Sequence, residues 1–454
     1  MSTRLFAALL LATSVSAVVA AEEAPVVETA ASEEEPGRKA QATLLVQGVV
    51  PGTPAEAAGV QEGDILDTYN GVRVHSLEEV NAQKKLAPKG DSVEIGIIRG
   101  TERMTFRIPA GQIGVYLKEV LPDLEYREDA VVIDGIEKLG WDTGKTNSFI
   151  AAVEAASKHA GSDVDYTEMN GMSGAAFRLH FHKQWCPSSP DPGCGYPVSN
   201  HVLEVAGFEY EFRHADTGDT EAQEALRKEI TASIDRDMPV IAIDLIMVPE
   251  WGVITGYQDG GKELLCRTYF DSRSGYEIAQ KFPWSVCLLD VPESMEAQFR
   301  PEAGFNVVVE NLTTEEYNGY ASGLAAFDYW IEQLQNADFE AMEEERYREE
   351  VSHSHAWIYD RLVSDRENGA EYLDRLAEKM PDQAEKLESL AGLYREEAEL
   401  LKPTEDVIVY SFNMKDRGDW SSEMRAEAAK RLGAAKAKEE EALVIWQKLA
   451  EAED

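Results

Sequence analysis

Pro51-Gly52-Thr53-Pro54-Ala55-Glu56-Ala57-Ala58-Gly59-Val60, then Gly63-Asp64-Ile65-Leu66 and Tyr69-Asn70-Gly71, is the stretch on which the organisation of this chain turns. Pro54 suits the first turn of a short helix, and Gly59 suits its end. Asn70-Gly71 is a tight hairpin signal ahead of Val72 and Val74. Upstream, Leu44 to Val50 reads as a strand that stops at Pro51. Downstream, Ser76 caps a predicted helix from Leu77 to Leu86, with Glu79 placed to complete a capping box. Val93 to Arg99 and Arg103 to Ile108 are two further strands turning at Gly100-Thr101.

This order resembles the PDZ domains of exported bacterial proteases, over roughly residues 41 to 117. The resemblance implies a small β-barrel-like domain that takes up an extended peptide or a free protein C-terminus by adding it to a sheet edge. No glycine loop precedes Leu44, where the ordinary arrangement would place one. One follows the last strand, at Gly111-Gln112-Ile113-Gly114-Val115-Tyr116-Leu117. That is similar to the arrangement of membrane-embedded site-2 proteases. It makes Gln112, Ile113, Gly114, Val115, Tyr116 and Leu117 the candidate peptide-binding residues, the alternative being a closing edge strand without a ligand.

The chain has 454 residues, enough for several cores, with 43 basic and 84 acidic side chains and a net charge of −41. Such a balance repels phosphate backbones and anionic lipid, so nucleic acid is excluded as a partner. At 44% hydrophobic residues the chain is no disordered acidic polymer, and four cysteines cannot build a disulfide scaffold of this size. Residues 1–21 read as a signal peptide. Arg4 precedes the apolar run from Leu5 to Leu11, and Val18-x-Ala20 or Val19-x-Ala21 provides small residues for cleavage. Thr13, Ser14 and Ser16 dilute that run too far for a membrane anchor, and no later run reaches the ~20 apolar residues of a spanning helix. An acidic linker over 22–40, with Pro25, Pro36 and Gly37, follows. These features predict export to a periplasmic or extracellular location, with no membrane span after signal removal.

Residues 129–310 alternate helical and strand patterns and hold all four cysteines. Thr146 to Ala156 is a predicted helix, Met238 to Asp244 a buried strand, and Pro249 to Asp259 a strand entering a turn. This order resembles papain-fold peptidases of the bacteriocin-processing type and the N-terminal domain of butirosin biosynthesis protein H. The resemblance implies a nucleophilic cysteine opening the helix, a histidine opening the strand, and an acid or amide orienting it. Here the cysteine position falls on Asn147 or Ser148, the histidine position on Glu250, and the orienting residue near Asp271. Both principal groups are changed, which leans against catalysis. Gly171-Met172-Ser173-Gly174-Ala175-Ala176-Phe177 also resembles a butirosin-type segment, where glycines allow close approach around a cleft; a tight structural turn is the alternative.

His180, His182, Cys186, Cys194 and His201 are zinc-type ligand residues, but their spacing fits no familiar pattern. Neither a metal nor another cofactor is expected. Cys186 as a displaced nucleophile lacks a helix N-terminus to activate it. The Pro187-to-Gly193 loop instead favours a Cys186–Cys194 disulfide, worth about 2–3 kcal/mol, with Cys266 and Cys287 as buried thiols. From 313 to 454 strand signals nearly vanish. Leu324, Phe327, Ile331 and Leu334, then Leu387, Leu390, Tyr394 and Ala398, then Leu443, Trp446 and Leu449 are spaced as helical stripes.

The resulting expectation is a multi-domain chain: a PDZ domain at 41–120, an α+β papain-like domain at 129–310 and an all-α domain at 313–454. The expected function is binding of peptide or protein segments by an exported protein whose peptidase-like domain is inactive. An acyltransferase or amidase using Ser148 with Glu250 is the alternative, and a purely structural envelope protein a third.

Overall fold

The computed structural model describes residues 42–88, 91–111, 113–292 and 301–451. The signal peptide expected at 1–21, the linker at 22–40 and Gln112 lie outside the described residues. The chain divides into two compact units. One runs to Asp123 and includes Ser272–Ser274; the other comprises Leu124–Asp271 and Gly275–Asp454.

The first unit contains β1 (Thr43–Val49), α1 (Pro54–Ala58), β2 (Ile65–Tyr69), β3 (Val72–Arg73), α2 (Leu77–Leu86), β4 (Ser92–Arg99), β5 (Glu102–Pro109) and β6 (Val115–Val120). Its sheet runs β5-β4-β2-β1-β6, with β3 on β2. Local chemistry sets the turns. Pro54 opens α1, and Gly59 closes it at φ +85°. Asn70 and Gly71 both take positive φ in the β2–β3 hairpin. Ser76 Oγ accepts from Glu79 N (3.1 Å), while the Glu79 carboxylate accepts from His75 N rather than from the cap residue's own amide. Leu44, Val46, Leu66, Tyr69, Val93, Ile95, Ile97 and Ile108 fill the core. Buried Asp64 accepts two hydrogen bonds from Arg99 (2.7 and 2.8 Å), which hold its carboxyl below the usual range.

In the second unit, β7 (Val131–Val132), α3 (Ser148–His159), α4 (Tyr166–Met172), β8 (His180–His182), α5 (Ser199–Ala206), β9 (Glu209–His214) and α6 (Thr220–Ile234) come first. Then follow β10 (Val240–Ile243), β11 (Trp251–Gln258), β12 (Glu263–Arg267), β13 (Glu277–Ile278) and β14 (Ser285–Asp290). The sheet order is β13-β12-β11-β10-β14-β9, antiparallel, with β7 on β11. Helix α3, buried along nearly its whole length, lies against β10 and β11. The remaining elements are α7 (Pro301–Thr313), β15 (Glu316–Tyr317), β16 (Tyr320–Ser322), α8 (Gly323–Asn336), α9 (His353–Lys379), α10 (Ala384–Leu401) and α11 (Ser422–Ala450).

The domain boundary expected at 310–313 does not exist as a break in packing. One hydrophobic cluster runs from Ile133 through the sheet to Leu387, Leu390, Tyr394 and Trp446. The rings of Tyr394 and Trp446 stand 4.9 and 5.0 Å from that of Phe177. The helical stripes after residue 313 therefore bury themselves partly against the α+β layer and not only against one another. A fully buried guanidinium, Arg366 on α9, ties the two together by donating to the carbonyl of Ala176 (2.8 Å).

The Gly171–Phe177 segment is a packing device of the same interface. A Cβ at Gly171 would stand 2.0 Å from Cγ of Tyr372 on α9, so glycine is there to admit that ring and not a ligand.

Candidate functional sites

In the first unit, the candidate peptide edge is β6. It pairs antiparallel with β1 (Val115 opposite Val49, Leu117 opposite Val46), and among the described residues no strand pairs with its other side. Tyr116 is 66% exposed, and Val115 and Leu117 are half-buried. Ile113 is a core residue and not an open contact, a correction to the expected site. Gly114 has φ +87°, and a Cβ there would stand 2.2 Å from Cβ of Thr53. Thr53 Oγ1 donates to the carbonyl of Val50 (2.6 Å), Val50 N to that of Gly114 (2.9 Å), and Ala55 N to that of Ile113 (3.1 Å). The glycine loop is thus fastened to the entrance of α1, and β6 leaves it in a fixed direction.

In the second unit, the N-terminus of α3 meets the start of β11. Asn147 is the helix cap: its Oδ1 accepts from Ile150 N (3.3 Å), which commits that side chain to its own helix. Ser148 is the first helical residue, and its hydroxyl reaches 102 positions along the chain to donate to Glu250 Oε2. Trp251 N donates to the same Oγ (3.3 Å). Of the two candidates for the position opening the helix, Ser148 is the one facing the neighbouring carboxyl.

Three side chains pin the turn before the helix. Tyr269 Oη donates to the Lys145 carbonyl, Arg361 Nη1 to the Thr146 carbonyl (2.9 Å), and Asn147 N donates to Tyr166 Oη (2.9 Å). Arg361, 9% exposed, is paired with Asp360 (2.8 Å) and lies 4.9 Å from the Trp357 ring and 5.4 Å from the Trp141 ring.

Burial pushes the Glu250 carboxyl up to about 7, with the nearby Asp191 charge acting in the same direction; Ser148 and Arg361 oppose both. Glu250 therefore exchanges its proton near neutral pH, where its carboxylate form can serve as base and its protonated form as hydrogen-bond donor. Ser148 itself is only 6% exposed, so its hydroxyl sits at the floor of the junction.

Asp271 does not take the orienting place. It accepts from Thr268 N (2.8 Å), Thr268 Oγ1 (2.9 Å) and Arg267 Nη1 (3.2 Å), partners that brace the turn after β12. The acid joined to the site is Asp191. Its Oδ2 accepts from Trp251 Nε1 (2.6 Å) and its Oδ1 from Gly193 N (2.8 Å). Sequence inspection missed Asp191, Trp251 and Arg361. Trp251 adjoins Glu250 and was the one within reach. Asp191 lies in a loop considered only for its cysteines, and Arg361 lies in a region assigned to another domain.

The expected Cys186–Cys194 disulfide is not formed; all four cysteines are free thiols. Arg178 closes that loop instead. Its guanidinium donates to the carbonyls of Pro190 (3.0 Å), Asp191, Pro192 (3.3 Å), Cys194 (3.3 Å) and Tyr196 (2.9 Å). Burial pushes Cys194 up to about 12, while Cys186 Sγ lies 2.8 Å from Ser188 Oγ. His180 is buried, held below its usual range by desolvation, with Nε2 3.0 Å from Asn311 Nδ2. Among the described residues, no group of three or more His, Cys, Asp or Glu side chains is placed to hold a metal ion.

Residues 45–99 match the family described as PDZ domain, and that part of the chain is a PDZ domain. The chain is 38% identical over 72 residues to the magnetosome formation protease MamE of Magnetospirillum gryphiswaldense, covering 16% of this chain and 9% of that protein. It is 31% identical over 123 residues to a probable periplasmic serine endoprotease, DegP-like, of Chlamydia trachomatis, covering 26% and 24%. It is 37% identical over 83 residues to the zinc metalloprotease RasP of Shouchella clausii, covering 18% of each. The chain thus spans less than a quarter of the length of these relatives. Among the described residues, no helix is long and apolar enough to cross a membrane.

Proposed function

We propose that this protein is an exported binding protein whose PDZ domain captures an extended peptide or protein C-terminus along β6. The observation that carries this is the position of β6: among the described residues it is last in its sheet and paired on one side, and it is aimed by a glycine loop fastened to Thr53. An added strand would extend the sheet beyond β6 and place alternate side chains beside Tyr116. Export is supported by the N-terminal pattern and by the similarity to a probable periplasmic serine endoprotease, DegP-like.

The test is hydrogen exchange on the full chain with a peptide selected from a library displaying free C-termini. Micromolar affinity is expected, about −8 kcal/mol, with slowed exchange confined to 113–120. Protection on another strand would overturn the assignment. Tyr116→Ala, which alters an exposed side chain, should weaken binding several-fold and leave the fold intact. Gly114 is a poor test position, because any side chain there collides with Thr53.

The contact between Ser148 and Glu250 favours a second reading, an acyl-transfer or amide-hydrolysing site. The fold order that suggested papain-like peptidases places a helix-opening residue against a strand-opening residue, and here these are an alcohol and a carboxyl. That pair replaces the thiol and imidazole of a cysteine peptidase, so peptidase activity of that type is not expected. A carboxylate that titrates near 7 is basic enough to draw the Ser148 proton during attack on an acyl carbon. A serine-directed acylating probe on the full chain should label Ser148, rising with pH through about 7 and abolished in Ser148→Ala and in Glu250→Gln. Absence of label across pH 5–9 would overturn this second reading.

A further inference from the structure

Asp191 is half-buried and tied to the reacting pair. It belongs to the loop that Arg178 gathers by five carbonyls, so its backbone is fixed. Its two carboxylate oxygens accept from Gly193 N and Trp251 Nε1 at 2.8 and 2.6 Å. Trp251, in turn, donates through its main-chain N–H to Ser148 Oγ and follows Glu250 in the chain. One indole residue therefore joins the acid to both members of the site. Its ring is held on the other elements by Phe149, 5.0 Å away edge to face.

We propose that Asp191 is a positioning residue of the Ser148–Glu250 site, fixing Trp251 and governing through its charge whether Glu250 keeps its proton. This rests on the second reading of that site. The charged or polar groups facing Glu250 are Ser148 from α3, Asp191 from the loop, Arg361 from α9 and Tyr269 from the segment after β12. Of these, Asp191 supplies the negative charge that disfavours a second carboxylate, and Arg361 supplies the positive charge that favours one. Two half-buried, desolvated carboxyl groups so placed do not both ionise readily. Desolvation raises both carboxyl groups, and the two N–H donors oppose the rise at Asp191, so Asp191 is the acid that ionises first.

The test uses the full-length chain labelled with 13C at glutamate carboxyls and 15N at tryptophan, followed by NMR across pH 4–9. Glu250 is assigned by its loss in Glu250→Gln, and the Trp251 indole by its loss in Trp251→Phe. Asp191→Asn should lower the Glu250 midpoint by about one pH unit and shift the Trp251 indole signal. Asp191→Glu, which restores the charge, should return the midpoint most of the way. A Glu250 midpoint that stays in place or rises in Asp191→Asn overturns the proposal. Should that variant fail to fold, Asp191→Ser removes the same charge with a smaller polar side chain, and the midpoint should again fall; no movement there is equally decisive. None of these readouts requires that Ser148 be reactive. Failure of acyl labelling with a shifted midpoint would sink the catalytic reading alone, and labelling with an unmoved midpoint would sink this inference alone.

Discussion

Replacing Arg366 by methionine should destabilise the protein by about 3–5 kcal/mol, the cost typical of removing one partner from a buried ionic group. Arg366, Glu397 and Glu439 are all fully buried. The guanidinium reaches Glu397 on α10 (3.1 Å), Glu439 on α11, and the carbonyls of Ala176 (2.8 Å) and Arg178 (3.3 Å). Tyr394 Oη donates to Glu439 (3.2 Å) and accepts from Trp446 Nε1 (2.9 Å). One cation thus serves two carboxyl groups, and burial together with Glu439 holds Glu397 well above the usual range, so it carries the spare proton. Without Arg366, two acids would be left in the core and two carbonyls unpartnered. Urea unfolding followed by far-UV circular dichroism measures the loss. Arg366→Met combined with Glu397→Leu and Glu439→Leu should recover most of it, because an apolar replacement of a whole buried ionic group is often neutral or better. A single variant within about 1 kcal/mol of the parent would refute the assignment of Arg366 as the tie between helices and sheet.

The same cluster explains why the domain division was misjudged from sequence. Leu387, Leu390 and Tyr394 repeat at helical spacing, and such a stripe states that a face is buried without saying against what. Here part of it packs on Phe177 and the sheet layer, through an arginine that a sequence presents as one more charged residue of a polar helix. The PDZ domain was legible because its turns are made by residues with few conformational alternatives: Pro54, Gly59 and Asn70-Gly71 adopt the dihedrals their chemistry favours. Ser148 and Glu250 were legible as positions, since each opens an element with a clear pattern. Asp191 was not, because its relation to Trp251 depends on a loop conformation set by one buried arginine. The disulfide failed for the same reason: a short loop rich in proline and glycine can be closed by sulfur or by hydrogen bonds, and Arg178 does it with hydrogen bonds.

Between pH 4.5 and 7, stability contributed at Glu250 should fall as pH rises. In the folded chain its carboxyl is pushed from 4.5 up to about 7, chiefly by burial. The folded state therefore holds a proton that the unfolded state has released, and the derivative of unfolding free energy with pH is negative across that window. Below about 4.5 both states are protonated and the contribution is complete; above about 7 both are ionised and it is gone. The displacement corresponds to a change on the order of 3 kcal/mol. Asp365, half-buried and pushed up to about 6 chiefly by desolvation, adds a decline of the same sign at slightly lower pH. Glu250→Gln has no proton to lose, so the difference in stability between parent and variant should shift in the variant's favour from pH 5 to pH 8. Thermal unfolding of the two proteins side by side at pH 5, 6, 7 and 8 isolates this residue, because the remaining acidic side chains are common to both. A difference that stays constant over that range would mean that Glu250 titrates like an exposed carboxyl. The proposed base would then be ionised throughout, and Ser148 acylation would show no rise through neutral pH.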